Sequence, residues 1–77
     1  MTAIAEFAQI ATDTLATVTG KQVSVETYQT YGQAVRVPVA QLSLTKLRKL
    51  TEAATELGLA WSTEGNAAYV YDLAATL

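Results

Sequence analysis

Neither cysteine nor histidine occurs among the 77 residues. Without cysteine, the chain has no disulfide framework and no thiolate metal site. Without histidine, it lacks the commonest general base and the commonest ligand for transition metals. Serine therefore has no imidazole to activate it, and the four glycines are placed to end or turn elements of structure. We expect no enzyme activity, no catalytic residue, no metal site and no cofactor.

Charge and long apolar runs are also scarce. Charged residues make up 16% of the chain and the net charge is −2, which gives no general attraction to nucleic acid or to anionic membranes. No apolar run approaches the roughly 20 residues that span a bilayer. The first eleven residues have no basic region and contain Glu6, so we expect no signal peptide. These features predict a cytoplasmic protein with no membrane partner.

Apolar residues are plentiful, at 51% of the chain. This share is typical of a globular protein, and the length is near the lower end of what one hydrophobic core can stabilise. We expect residues 1–77 to form a single compact domain.

Two segments have the apolar spacing of amphipathic helices. The first runs from Thr2 to Thr19, with Thr2 as N-cap and Gly20 at the C′ position. The second begins after Ser43 as N-cap and ends before Gly58 at C′. Their apolar stripes are Ile4, Phe7, Ala8, Ala11, Leu15 and Val18 in the first, and Leu44, Leu47, Leu50, Ala54 and Leu57 in the second.

The remaining segments alternate apolar and polar residues, as strands do. Residues 23–39 predict a β-hairpin that turns between Thr30 and Gln33. Pro38 has no N–H group, which places its strand at a sheet edge or turns that nitrogen outward.

Residues 59–73 predict a second hairpin around Glu64, Gly65 and Asn66. A two-residue loop pairs Trp61 with Val70 on the covered face, whereas a three-residue loop pairs Trp61 with Tyr69.

The predicted order is α-β-β-α-β-β. We therefore expect an α+β fold, with a four-stranded, mainly antiparallel sheet and two helices packed on one of its faces. The expected core is Phe7, Leu15, Val25, Val37, Leu47, Leu50 and Leu57. The other sheet face stays open, and we expect function there.

Tyrosines are the first candidates for a binding site. Tyr31, Tyr69 and Tyr71 fall in predicted strands or turns, and Tyr69 and Tyr71 share a face in either register. Tyrosine is common in protein interfaces because it covers apolar area and keeps a polar tip. It also stacks on bases in proteins that bind single strands.

The second helix carries its charges against the helix dipole. Lys46, Arg48 and Lys49 lie near its N-terminus, where acidic residues are favoured. One interpretation is a solvated face whose charge order has little effect on stability. The other is a basic corner that binds an anionic partner, with Arg36 joining it through the fold.

The first hypothesis for function is a small, acidic, non-catalytic protein-interaction domain. Such a domain would be an adaptor, subunit or inhibitor of a larger assembly, of the kind that phages and mobile elements encode. One alternative is a nucleic-acid-binding module that uses the sheet tyrosines and the basic helix corner. Another is a structural subunit of a homo-oligomer, with a homodimer as its simplest form.

Overall fold

A computed structural model describes residues 2–18 and 20–73 and confirms the α+β fold. The elements follow the predicted order: α1 (Ala3–Leu15), β1 (Ser24–Tyr28), β2 (Gly32–Pro38), α2 (Leu44–Glu56), β3 (Ala60–Glu64) and β4 (Ala67–Tyr71). Each described strand pairing is antiparallel, and the strand order is β1-β2-β4-β3. Strands β2 and β4 are therefore central, and β1 and β3 form the edges.

Capping residues set three of the helix ends as predicted. The Thr2 hydroxyl accepts a hydrogen bond from the N–H of Ala5 at 3.1 Å, and the Ser43 hydroxyl accepts one from the N–H of Lys46 at 3.3 Å. Gly58 follows α2 with φ +72°, a backbone conformation that favours glycine. Each helix has 13 residues, and no described helix is long and apolar enough to cross a membrane.

Helix α1 ends earlier than predicted. Its last residue is Leu15, whereas the predicted end, Thr19, lies outside the described residues. Residues 16–18 include β-branched side chains, which have low helix propensity, and Asp13 adds a negative charge near the negative end of the helix. Gly20 has a positive φ of 80°, but it lies five residues beyond Leu15, so its predicted C′ role is wrong.

The core lies between the two helices and one face of the sheet. Phe7, Leu15, Val37 and Leu50 are buried as predicted, and Leu57 packs at the margin of the core. The residues that complete the buried cluster are Ile4, Ala11, Val35, Ala54, Leu59 and Val70. Their positions place both helices on one face of the sheet, as expected.

Val25 and Leu47 were expected in the core, and the structure places neither there. Val25 is 43% exposed because its strand is at the sheet edge, while α1 packs over β2. Leu47 is half-buried, and Leu44, in the first turn of the same helix, is 74% exposed. Helical side chains point toward the N-terminus, so the first turn of α2 projects beyond the layer that would bury it.

The second hairpin has the two-residue loop. Trp61 pairs with Val70 on the covered face, and Tyr69 points to the open face. The loop of the first hairpin spans residues 29–31, whereas the predicted turn was between Thr30 and Gln33. Tyr28 pairs with Gly32, so Gly32 and Gln33 already belong to β2.

Pro38 ends the central strand β2, so the prediction of an edge position is wrong and the alternative holds. The N–H of Val39 donates to the carbonyl of Asn66 at 3.0 Å, toward β4. Successive backbone N–H groups face opposite sides of a strand, so the nitrogen of Pro38 faces the β1 side. Pairing with β1 stops at Ser24 and Arg36, and no ladder bond is lost.

Candidate binding surface on the open sheet face

The strand register collects tyrosine side chains on the face that the helices leave open. In β4, Val70 points into the core, so Tyr69 and Tyr71 on either side of it point to the open face. Tyr69 lies between Arg36 of β2 and Ser62 of β3. The two-residue loop of the second hairpin and the central position of β4 therefore place Tyr69 in the middle of this face.

Tyr31 comes from the loop between β1 and β2 and folds back over the sheet. Its ring stacks on Tyr69 with centroids 5.3 Å apart and planes at 20°, and it lies 4.7 Å from the ring of Tyr71. Its hydroxyl shares a hydrogen bond of 3.3 Å with the hydroxyl of Ser62. These contacts fix the loop residue against two strands that are distant from it in sequence.

Tyr28, near the end of β1, completes the group. Its ring meets Tyr69 edge-on at 5.0 Å and Tyr31 edge-on at 6.4 Å. In both edge-to-face and offset-stacked arrangements, the more positive edge of one ring lies near the negative face of another, which is electrostatically favourable. We call Tyr28, Tyr31, Tyr69 and Tyr71 the tyrosine cluster.

The cluster covers small residues and remains half-exposed itself. Ala34 lies on the open face opposite Tyr71, yet it is fully buried although no helix covers it. All four tyrosines are half-buried. The open face is therefore a packed aromatic surface that remains partly exposed.

One acidic and one basic side chain flank the cluster on β1 and β2. The Tyr28 hydroxyl donates to a carboxylate oxygen of Glu26 at 2.9 Å. Partial burial, together with this hydrogen bond and the negative charge of Glu26, raises the pKa of Tyr28 to about 12, and Arg36 acts in the opposite direction. Glu64 adds a second acid on the same face, since it pairs with Ala67 in register with the open-face positions.

Four of the seven predicted site residues come together here: Tyr31, Tyr69, Tyr71 and Arg36. Arg36 therefore does not join the basic corner of α2, contrary to that expectation, because β2 presents it on the side away from the helices.

The basic corner lies on the helix layer instead. Lys46 is half-buried, and Arg48 and Lys49 are exposed. No hydrogen bond or ion pair joins these three side chains to another described residue. The N–H of Lys46 already donates to the Ser43 cap, so this backbone donor is not free to bind an anion. A binding role for the corner stays a prediction.

Sequence reasoning misses Tyr28 and Glu26 as members of the site. The available signal is the period of two in β1, which puts Ser24, Glu26 and Tyr28 on one face. This alternation does not show which face of β1 is open, because the other face carries one apolar residue, Val25, and one polar residue, Thr27.

The surface combines several groups that are suited to recognition. Rings offer apolar area, phenol groups offer hydrogen bonds, and Arg36 and Glu26 offer opposite charges. Within residues 2–18 and 20–73, no group of three or more acidic, cysteine or histidine residues could hold a metal ion. Comparison of the chain with protein-family models, curated proteins and solved structures finds no match.

Proposed function

We propose that the chain is a small, non-catalytic protein-interaction domain that binds another protein through the tyrosine cluster. It would act in the cytoplasm as an adaptor, subunit or inhibitor of a larger assembly. The observation that supports this function is the contact of four half-exposed tyrosines on a sheet face without helices.

The physical argument concerns the free-energy cost of binding. A side chain that becomes ordered in a complex loses conformational entropy, which weakens binding. The rings here are already held by each other, and the Tyr31 hydroxyl is held by Ser62. Binding would therefore bury aromatic area on a preorganised surface, which is the composition and setting of interface hot spots.

Protein capture with mass spectrometry tests the proposal. The immobilised chain identifies partners, and each purified partner is then titrated against variants. Tyr69→Thr combined with Tyr71→Thr keeps strand propensity and removes two rings. We expect affinity to fall by about tenfold or more, as for hot-spot residues.

A matched control lies on the other side of the molecule. Lys49→Glu alters an exposed charge on α2 and should leave affinity within about twofold, as expected for substitutions outside hot spots. Tyr31→Ser, in a loop, is a second test variant that leaves every strand intact. Partner binding that survives both tyrosine variants, in chains that remain folded by circular dichroism, would contradict the proposal.

Nucleic-acid binding is the second candidate, favoured by the position of Arg36 beside Tyr69. The same face carries Glu26 and Glu64, which repel phosphates, so protein binding is the better supported function. Fluorescence anisotropy with a single-stranded oligonucleotide separates the two. Affinity that decreases steeply between about 50 and 200 mM salt and depends on Tyr69 would favour the nucleic-acid function.

A further inference from the structure

A groove runs beside the edge strand β1, on the helix side of the sheet. Val25, which is 43% exposed, contributes apolar surface to it, and Ala5 and Ala8 form part of its wall on α1. Thr12 and Gln33 also line it. Alanine side chains are short, so space remains between the helix and the strand.

The same edge offers unpaired backbone groups. The nitrogen of Pro38 faces β1, so the N–H groups of Arg36 and Ala34 do so as well and pair with the β1 residues opposite them. By the same alternation, the N–H and C=O groups of Val25 and Thr27 point away from the sheet. No hydrogen bond joins these groups to another described residue. An extended polypeptide is the ligand that matches this row of donors and acceptors.

The opposite edge, β3, differs in its side chains. Trp61 and Thr63 point their backbone groups outward there. However, the Trp61 ring packs against the core. Val25, which points to the same side of the sheet from β1, is 43% exposed. An added strand would therefore bury more of the exposed apolar surface at β1 than at β3.

The charge of Glu26 indicates whether the strand that pairs with the β1 edge comes from a second copy of this chain or from another polypeptide. Two β1 strands that overlap fully in an antiparallel pair would place Glu26 directly opposite its own copy. Like charges in that position are destabilising, and such non-hydrogen-bonded pairs have Cα atoms only about 4.5 Å apart. A basic residue opposite Glu26 is instead favourable.

We propose that the β1 edge binds an extended segment of another polypeptide as a fifth, antiparallel strand. The segment has small apolar residues on both sides of a lysine or arginine. Its backbone pairs with Val25 and Thr27, its apolar side chains enter the groove beside Ala5 and Ala8, and its basic side chain pairs with Glu26. This edge site shares Glu26 with the flank of the tyrosine cluster, but it uses the backbone of β1 and the groove on the helix side, so it does not depend on the function proposed for the cluster.

Peptide titrations monitored by NMR test the proposal on the full, ¹⁵N-labelled chain. The probes are two capped peptides, TVKVT and TVEVT, which differ only in the sign of the central charge. At low salt we expect the basic peptide to shift the amide resonances of Val25 and Thr27 and to bind about two- to fivefold more tightly than the acidic one. Glu26→Lys should reverse this preference.

Proline substitution supplies a matched pair of variants. Thr27→Pro removes an outward N–H from β1 without removing a ladder bond, and Thr63→Pro does the same on β3. We expect Thr27→Pro to abolish binding of TVKVT and Thr63→Pro to preserve it. The double variant Tyr69→Thr with Tyr71→Thr should also preserve it, which separates this site from the tyrosine cluster.

Three results would overturn the proposal. One is equal binding of the two peptides to wild type and to Glu26→Lys. Another is a peptide response centred on Trp61 and Thr63, which would place the added strand at β3. The third is a wild-type dimer in light scattering that becomes monomeric with Thr27→Pro, which would make a second copy the occupant of this edge.

Discussion

The two faces of the sheet use alternate residues of the same strands for different purposes. On the covered face, Val35, Val37 and Val70 are fully buried beneath the helices. On the open face, Tyr69 and Tyr71 flank Val70 in β4 and are half-buried among other tyrosines. Aliphatic side chains gain stability by leaving water completely, whereas tyrosine keeps a polar group in water while covering apolar area. Substitutions on the covered face should therefore affect stability, and those on the open face should affect mainly the proposed recognition of a partner.

Truncation in the covered layer should have the largest effect. Leu50 is fully buried between α2 and the sheet, so Leu50→Ala should lower the free energy of unfolding by about 2–5 kcal/mol, through lost burial and a cavity. Denaturant unfolding measures this change. Leu44→Ala is the control in the same helix, because Leu44 is 74% exposed, and it should change stability by less than about 0.5 kcal/mol. Equal effects of the two changes would refute the assignment of the buried face of α2.

A smaller loss of stability is expected on the open face. Tyr69 contacts the rings of Tyr28 and Tyr31, so Tyr69→Ala should cost about 1–2 kcal/mol from ring contacts and partial burial. Tyr69→Phe keeps the ring and should be nearly neutral in a thermal melt. A loss as large as that of Leu50→Ala would mean that the open face supports the fold as strongly as the covered face does.

A gain in stability is expected on the solvent side of the helix layer. Lys46→Glu places an acid three residues after the Ser43 cap, where it can accept the N–H of Ser43 in a capping box. Together with the helix dipole, this should raise stability by about 0.5–1 kcal/mol, and the gain should shrink as salt is added. If Lys46→Glu increases stability but abolishes partner binding, the binding site lies at the basic corner and not at the tyrosine cluster. A clear loss of stability would mean that Lys46 has a favourable interaction that the described residues do not reveal.

The ionisation of Tyr28 tests the open face at a single side chain, by comparing its pKa in the folded and unfolded states. Its pKa in the folded state is about 12, above the value of about 10 in unfolded chains. Between these values the folded state holds a proton that the unfolded state has lost, so stability should fall as pH rises from about 10 to 12. The stabilisation is fully present below pH 10. Relative to Tyr28→Phe, wild type should lose stability in this interval, and phenolate absorbance should show one late-titrating group that the variant lacks.

Glu26→Gln tests how much the negative charge of Glu26 contributes to the raised pKa of Tyr28. The substitution removes the negative charge beside the Tyr28 hydroxyl but leaves the ring partly buried, so the pKa should fall only part of the way toward 10. No change in the midpoint would show that the negative charge of Glu26 does not contribute to the raised pKa of Tyr28.

Local patterns were sufficient to predict much of the fold. Spacing identified both helices and all four strands, and cap residues such as Thr2 and Ser43 located the starts of the helices. These features depend on interactions within a few residues. The length of the loop at Gly65 and Asn66, which determines which side of β3 carries Trp61, was left open by the sequence between two and three residues, and the structure has two.

The candidate site was less predictable because it depends on strand order. The order β1-β2-β4-β3 puts Arg36 beside Tyr69, and the two residues are 33 positions apart in the chain. The same order places β1 at an edge and leaves Val25 exposed, although its alternation is that of a buried strand residue. The direction in which Tyr31 points is also a tertiary effect, since its ring is held by β4 and by Ser62.

The strand order also has a consequence for folding kinetics. Each hairpin joins neighbours in sequence and can close quickly, whereas β2 and β4 pair residues as distant as Ala34 and Tyr71. Closing that long loop costs more entropy, so we expect the two hairpins to precede the central pairing. The tyrosine cluster takes Tyr28 and Tyr31 from one hairpin and Tyr69 from the other. The surface proposed for binding therefore forms only when the last strand pair closes, and a partner that needs it would not recognise a partly folded chain.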